Sequence, residues 1–232
     1  QPSTNQKFEL PFVARQPLNH YELQQIATLR SQAYGKHNVQ LGEMLTLPED
    51  ADMQPGNVVL AAFDKATNSV LGTLRIHTNQ YGPLPLEESV DLPAHMRDQR
   101  LCEVTRLAMR YDAPSLVKLA LFKTCYQTGI RHSFDAITAV GRDPIYRQYE
   151  NLLFQEVFPG RGFMPIRHVA NLPHKVLFLD LATAQERWAR AKHPLLSFMV
   201  TIRYDDIETP THFNHGAMLA AGSGTFPVRL AK

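Results

Sequence analysis

Two cysteines, Cys102 and Cys125, are too few in 232 residues for a disulfide framework, and no metal-type spacing joins them. The expectation is two reduced, buried thiols and no metal site. No apolar run approaches the roughly 20 residues that span a bilayer, so no transmembrane segment is expected. The first seven residues lack the apolar core of a signal peptide, and the expected location is the cytoplasm. The chain opens on Gln1 rather than Met, so residues upstream of it are expected. Charge of one sign is also missing. With 24 Lys and Arg against 22 Asp and Glu, the net charge is +2, and nothing in the bulk calls for nucleic acid. A local basic patch stays open. Internal repeats, a Ser/His/Asp order, a Walker loop and a dinucleotide motif are all absent. His212 and His215 lie three apart, but with no helix and no third ligand the spacing is coincidental.

What is present is a core-forming chain. Its hydrophobic fraction of 44% suits one domain, expected over residues 1–200, with a peripheral or partly disordered tail over 201–232. A strand is expected within 8–13. A helix follows over about 19–36, with Asn19 as N-cap and Leu23, Ile26, Ala27 and Leu29 at helical spacing. Residues 38–56 read as a polar loop carrying Glu43, Glu49, Asp50 and Asp52. Segments 58–63 and 69–78 form a hairpin about a turn at 64–68. A Pro-rich loop with a short helix (81–97) precedes a strand at 100–110 and a helix at 113–129 with Pro114 in its first turn. A buried strand at 133–141, a helix from Asp143 as N-cap to about 154, strands at 158–167 and 175–181, and a helix at 184–190 complete the pattern. The order predicts an α/β (α+β) domain with a mixed central sheet flanked by helices.

Two strands carry charge where apolar residues are expected. Leu101-Cys102-Glu103-Val104-Thr105-Arg106-Leu107-Ala108-Met109 holds a carboxylate and a guanidinium, and Gly72-Thr73-Leu74-Arg75-Ile76 holds Arg75. Charges on core strands are paired or belong to a site, because burying either one alone is costly. Strict alternation puts residues 103 and 106 on opposite faces, so they share a cleft only if the strand is bulged between them.

These two strands resemble those of the autoinducer synthases, which make acyl-homoserine lactones and carry Gly-x-x-Arg and Glu-(Ile/Val)-(Ser/Thr)-Arg strands. Leu29-Arg30-Ser31-Gln32-Ala33-Tyr34 is similar to their N-terminal Arg and aromatic segment. Tyr146-Arg147-Gln148-Tyr149-Glu150-Asn151-Leu152-Leu153-Phe154 resembles the Tyr-Glu-x-Leu-Gly-Phe segment of GNAT acyltransferases, with Leu153 in place of Gly. Over roughly residues 20–180 the best overall resemblance is to the long-chain N-acyl amino acid synthases (the FeeM type). It implies a GNAT-like fold and transfer of a long acyl chain from acyl carrier protein to the α-amine of an amino acid.

The resemblance assigns roles. It implies that Glu103 takes the amine's proton, directly or through water; the alternative is a buried ion pair with Arg75 or Arg106, which would lower the Glu103 pKa. Arg106 and Arg75 would hold the amino acid's carboxylate, contact pantetheine, order the N-terminal region, or pair structurally. Arg30, Tyr34 and Thr105 join them as substrate-binding candidates. A backbone N–H near Leu107 or Ala108 is the candidate oxyanion donor. Tyr149 would protonate the leaving thiolate, with Tyr146 as its competitor and core packing as the alternative. Lys118 and Lys123, with Arg142 and Arg147, would steer an acidic carrier protein, or form only a solvated face.

The donor expectation rests on a departure from the acetyl-CoA enzymes. Their Gly-rich loop cradles pyrophosphate at a helix N-terminus. Here Arg110-Tyr111-Asp112-Ala113-Pro114-Ser115 has no Gly, and Asp112 would repel pyrophosphate. The expected donor is therefore the acyl-phosphopantetheine of acyl carrier protein rather than acyl-CoA, with no tightly bound cofactor. The autoinducer synthases shape their S-adenosylmethionine side with an N-terminal Trp, whereas Trp188 is the one Trp here. Three alternatives remain: an acyl-homoserine-lactone synthase, an acyl-CoA N-acyltransferase, and a non-catalytic carrier-binding module.

Overall fold

A computed structural model describes residues 8–213. The strands are β1 (Phe12–Arg15), β2 (Asn57–Asp64), β3 (Val70–Thr78), β4 (Leu101–Met109), β5 (Ala136–Gly141), β6 (Gln155–Glu156), β7 (Met164–Ile166) and β8 (Leu172–Asp180). The sheet order is β1-β2-β3-β4-β5-β8-β6, with β7 paired to β8. Every pairing is antiparallel except β4 with β5. Parallel neighbours need a crossover, and helix α4 (Ser115–Arg131), which follows the short α3 (Ala94–Arg97), supplies it. This is the expected mixed sheet flanked by helices.

Each face of the sheet is covered differently. On one, Val104, Ile137, Leu177 and Leu179 meet Val117, Leu121 and Cys125 of α4. There Trp188, on a helix running Leu181–Arg190, donates its Nε1–H to the Leu152 carbonyl at 2.9 Å. On the other face Leu23, Ile26 and Leu29 of α1 (His20–Gly35) pack on Val59, Ala61 and Phe63. Asn19 caps α1 as expected, accepting from the Glu22 N–H at 2.9 Å. Cys102 and Cys125 are free, buried thiols.

Two irregularities in the sheet create the site. Pairing of β4 with β5 stops at Val104–Ala139, after which the strands part. Between β3 and β4 the register jumps from Arg75–Thr105 to Thr73–Ala108. Leu74 therefore faces both Arg106 and Leu107, and Arg106 takes the left-handed conformation with φ of 54°. This is a β-bulge, and it brings Arg106 to the face that carries Glu103 and Thr105. Sequence alternation alone placed it on the opposite side.

Several expectations need correction. The loop at 38–56 contains helix α2 (Val39–Met44), capped by Asn38, and a 3-10 turn at Asp50–Asp52. Asp143 caps nothing, and its helix shrinks to Tyr146–Glu150. The strand expected at 158–167 shrinks to β7, because Gly160 and Gly162 turn the chain with positive φ. Residues beyond 200 contact the sheet and the core. The Asp206 carbonyl accepts the Ala14 N–H at 2.8 Å, and the Glu208 N–H donates to the Ala14 carbonyl at 2.9 Å. Phe213 packs edge-on to Phe134. The remaining tail, 214–232 with His215, lies outside the described residues.

Helix α2 crosses α1 at two glycines: a Cβ on Gly42 would lie 2.5 Å from the Gly35 Cα. Gly42→Ala should lift α2 from α1 and cost about 1–3 kcal/mol. Urea unfolding of the variant beside the wild type reads this directly.

Candidate active site

Three arginines converge beneath the bulge. Arg30 Nη1 donates to both Asp52 oxygens at 2.7 and 2.9 Å. Arg75 Nη1 donates to Asp52 and to Glu49, each at 2.9 Å. Arg106 grips Glu49 with two parallel bonds, from Nε at 2.8 Å and Nη2 at 2.7 Å. Asp52 also accepts the Glu49 N–H at 2.9 Å. Each of the five charges meets an opposite one, as burial demands. The guanidiniums hold both the Glu49 and Asp52 carboxyls below the usual carboxylate range against the opposing effect of burial.

Arg75 Nε donates to His77 Nε2 at 2.9 Å, which makes that nitrogen an acceptor and leaves the ring proton on Nδ1. Burial, with help from Arg75, pushes the His77 pKa down to about 2, so the ring stays neutral. Thr105 Oγ1 lies 3.0 Å from the same nitrogen.

The parting of β4 and β5 opens a cleft of about 390 Å³, the size of a small-molecule site. Val104, Thr105, Arg106, Leu107, Ala108 and Met109 form one wall; Val140, Arg142, Ile145 and Tyr149 form another. Tyr34, His37, Asn38, Leu41, His168, Val169, Leu172 and His174 join the lining with Lys118 of α4 and Gln148 of the Tyr146–Glu150 helix. No Asp or Glu occurs among the described lining residues. Tyr34 donates its hydroxyl to the Leu107 carbonyl at 3.3 Å. Tyr149 is 3% exposed and packed between Phe122 and Phe154, and burial raises its pKa. Lys118 Nζ donates to Gln148 at 2.8 Å.

The structure thus brings Tyr34, Thr105, Arg106, Leu107, Ala108, Lys118, Arg142 and Tyr149 to one cleft. It corrects others. Arg30, Arg75 and Arg106 are committed to Asp52 and Glu49, so they are not free to clamp a substrate carboxylate. Lys123 is fully buried on α4, donating to the Phe198 and Ile202 carbonyls, and cannot face a carrier protein. Desolvation pushes its pKa down to about 8. Arg147 is exposed and stacks on Tyr146 outside the cleft lining.

Glu103 pairs with neither Arg75 nor Arg106. It is fully buried and not among the residues that line the cleft, and its Oε2 accepts the Leu86 N–H at 2.9 Å. Its Oε1 has no hydrogen bond and lies 3.4 Å from His168 Nε2. Burial raises its carboxyl pKa to about 8, the reverse of the lowering an ion pair would give.

Sequence reading missed Glu49, Asp52 and His168. The two acids were visible as loop carboxylates, and three strand or helix arginines needing countercharge could have called for them. His168 had no signal in any motif or period.

A mixed sheet whose one parallel strand pair among the described residues splays beside a bulge, with a cleft in the gap, defines an acyltransferase of the GNAT type. The chain belongs to the N-acyl amino acid synthase FeeM family, whose sequence model matches residues 25–166. Among solved structures, FeeM, an N-acyl amino acid synthase from uncultured soil microbes, superposes with a TM-score of 0.62 at 16% identity, covering 81% of this chain and 98% of that one. BjaI, a CoA-dependent acyl-homoserine lactone synthase solved with SAM and isopentyl-CoA, gives 0.51 at 14% identity, covering 79% and 90%. At these identities the likeness is one of fold. No curated protein matches the sequence significantly.

Glu49 and Asp52, with lowered pKa values, add stability above the ordinary carboxylate range that is lost as pH falls below it. Glu103 has the opposite sign: its contribution is full below about 4.5 and is lost as pH rises toward 8. Asp52→Ala should cost about 3–5 kcal/mol at neutral pH by stranding Arg30 and Arg75. Glu103→Gln should instead flatten the loss of stability between pH 5 and 8. Thermal melts across that range test both signs.

Proposed function

We propose that this enzyme joins a long-chain acyl group from acyl carrier protein to the α-amine of an amino acid, by direct transfer with no covalent enzyme intermediate. Membership in the N-acyl amino acid synthase family gives the reaction class. The observation that carries the finer reading is the cleft between β4 and β5. Its walls supply apolar side chains for an acyl thioester, Val104, Leu107, Met109 and Ile145, while no carboxylate among the described lining residues repels an acceptor's carboxylate.

The start of α4 supports a carrier protein over CoA. Where a pyrophosphate cradle would lie, Arg110 is turned onto Asp112, and Pro114 occupies the N-cap with no side-chain cap. A carrier protein brings only the pantetheine phosphate and no ADP to this place. Lys118 and Arg142 line the cleft with Lys36, and exposed Arg147 lies outside it; these cations can meet an acidic carrier, whereas Lys123 is withdrawn into the core.

In this reading the amine attacks the thioester carbonyl beside the bulge. A backbone N–H near Leu107 or Ala108 faces the oxyanion. Tyr149, protonated at neutral pH as a phenol is, donates to the leaving thiolate. The acceptor's proton leaves toward Glu103.

Bacteria expressing the protein should accumulate N-acyl amino acids that are absent without it and strongly reduced in a Glu103→Gln control, read by mass spectrometry of lipid extracts. Acyl-homoserine lactones in their place would move the enzyme to the lactone-forming branch. With purified components, Lys118→Glu with Arg142→Glu should raise KM for acyl carrier protein and weaken its salt dependence, with little change in kcat.

A further inference from the structure

Glu103 is not among the residues that line the cleft. His168 does line it, and its Nε2 is 3.4 Å from Glu103 Oε1. Both ring nitrogens of His168 and that carboxyl oxygen are buried without a hydrogen-bond partner. Nε2 and Oε1 meet each other past hydrogen-bond length, with the Pro85 carbonyl facing the ring, and such an under-satisfied buried pair is rare in a native fold. The backbone holds the ring in position. His168 sits in a 3-10 turn, Arg167–Val169, followed by Ala170 and Asn171, both with left-handed φ. The His168 carbonyl accepts from Arg106 Nη1 at 3.1 Å.

We propose that His168 is the catalytic residue that receives the acceptor amine's proton, with Glu103 as the positioning residue behind it. This rests on the amide-forming reading above. As the amine nitrogen bonds to the thioester carbon, its N–H proton passes to the imidazole, and the Glu103 carboxylate balances the imidazolium. The C–S bond then breaks, and the thiolate takes a proton from the Tyr149 hydroxyl. Solvent returns one proton to Tyr149 and removes one from the pair, so the sum is amine plus thioester giving amide plus thiol.

The pair's environment pushes its members apart. Burial raises Glu103 to about 8 and lowers His168 to about 4. Arg75, Arg106 and Glu87 face the carboxyl; Arg106, His174, Arg75 and the Pro85 carbonyl face the ring. Below about pH 8 the pair already holds one proton on Glu103 and is a poor acceptor. Turnover should therefore rise with pH through that region.

His168→Gln should lower kcat about a hundredfold, leave KM for the thioester little changed, and abolish the rising limb. Glu103→Gln should do the same, and the double variant should be no worse than either. In the wild type without substrate, the His168 ring resonances should show an inflection near pH 8 that Glu103→Gln removes. Wild-type turnover and pH profile in His168→Gln, or loss of the limb in His174→Gln alone, would overturn the proposal while leaving the amide-forming reading intact. So would a His168 ring that does not sense Glu103. A wild-type protein that forms no amide sinks the functional reading instead.

Discussion

The buried ladder Arg30–Asp52–Arg75–Glu49–Arg106 is the constraint on which the rest of the site depends. Left alone, three guanidiniums beneath a sheet would unfold it. Two carboxylates on one short segment make them tolerable, and tie that segment to α1, β3 and β4 together. The grip of Glu49 on Arg106 coincides with the left-handed bulge in β4. Just before that bulge, β4 leaves β5 and the cleft begins. Removing one member strands another charge, which costs more than the pair contributes when intact.

The ionisable groups divide into two kinds. Those of the ladder are paired and stay charged. Glu103 and His168 approach each other only to 3.4 Å and are pushed toward neutrality by burial. A fold holds such groups only where the surrounding structure over-determines them, and sites of chemistry are where this occurs. Arg106 links the two kinds: its Nε and Nη2 close the ladder, and its Nη1 holds the His168 carbonyl.

Strands and helices with strong periodicity were legible from the sequence, among them α1 with its Asn19 cap, the hairpin and β4. Short motifs led to the family. The roles of the arginines were less legible, because pairing depends on which loop folds beneath the sheet, and 38–56 has no period. The bulge could be required but not located, since a left-handed Arg has no composition signature. Lys123 looked like a surface cation because helical spacing does not reveal that 198–202 folds over it. His168 was invisible because its neighbours are set by turns rather than by pattern.

The most direct test of the account is to incubate the purified protein with a long-chain acyl carrier protein and an amino acid mixture, following free carrier thiol and amide together. The account predicts N-acyl amino acid and thiol in equal amounts, with no acyl group retained on the enzyme. Thiol release without amide, or an acylated enzyme on the path to product, would contradict it.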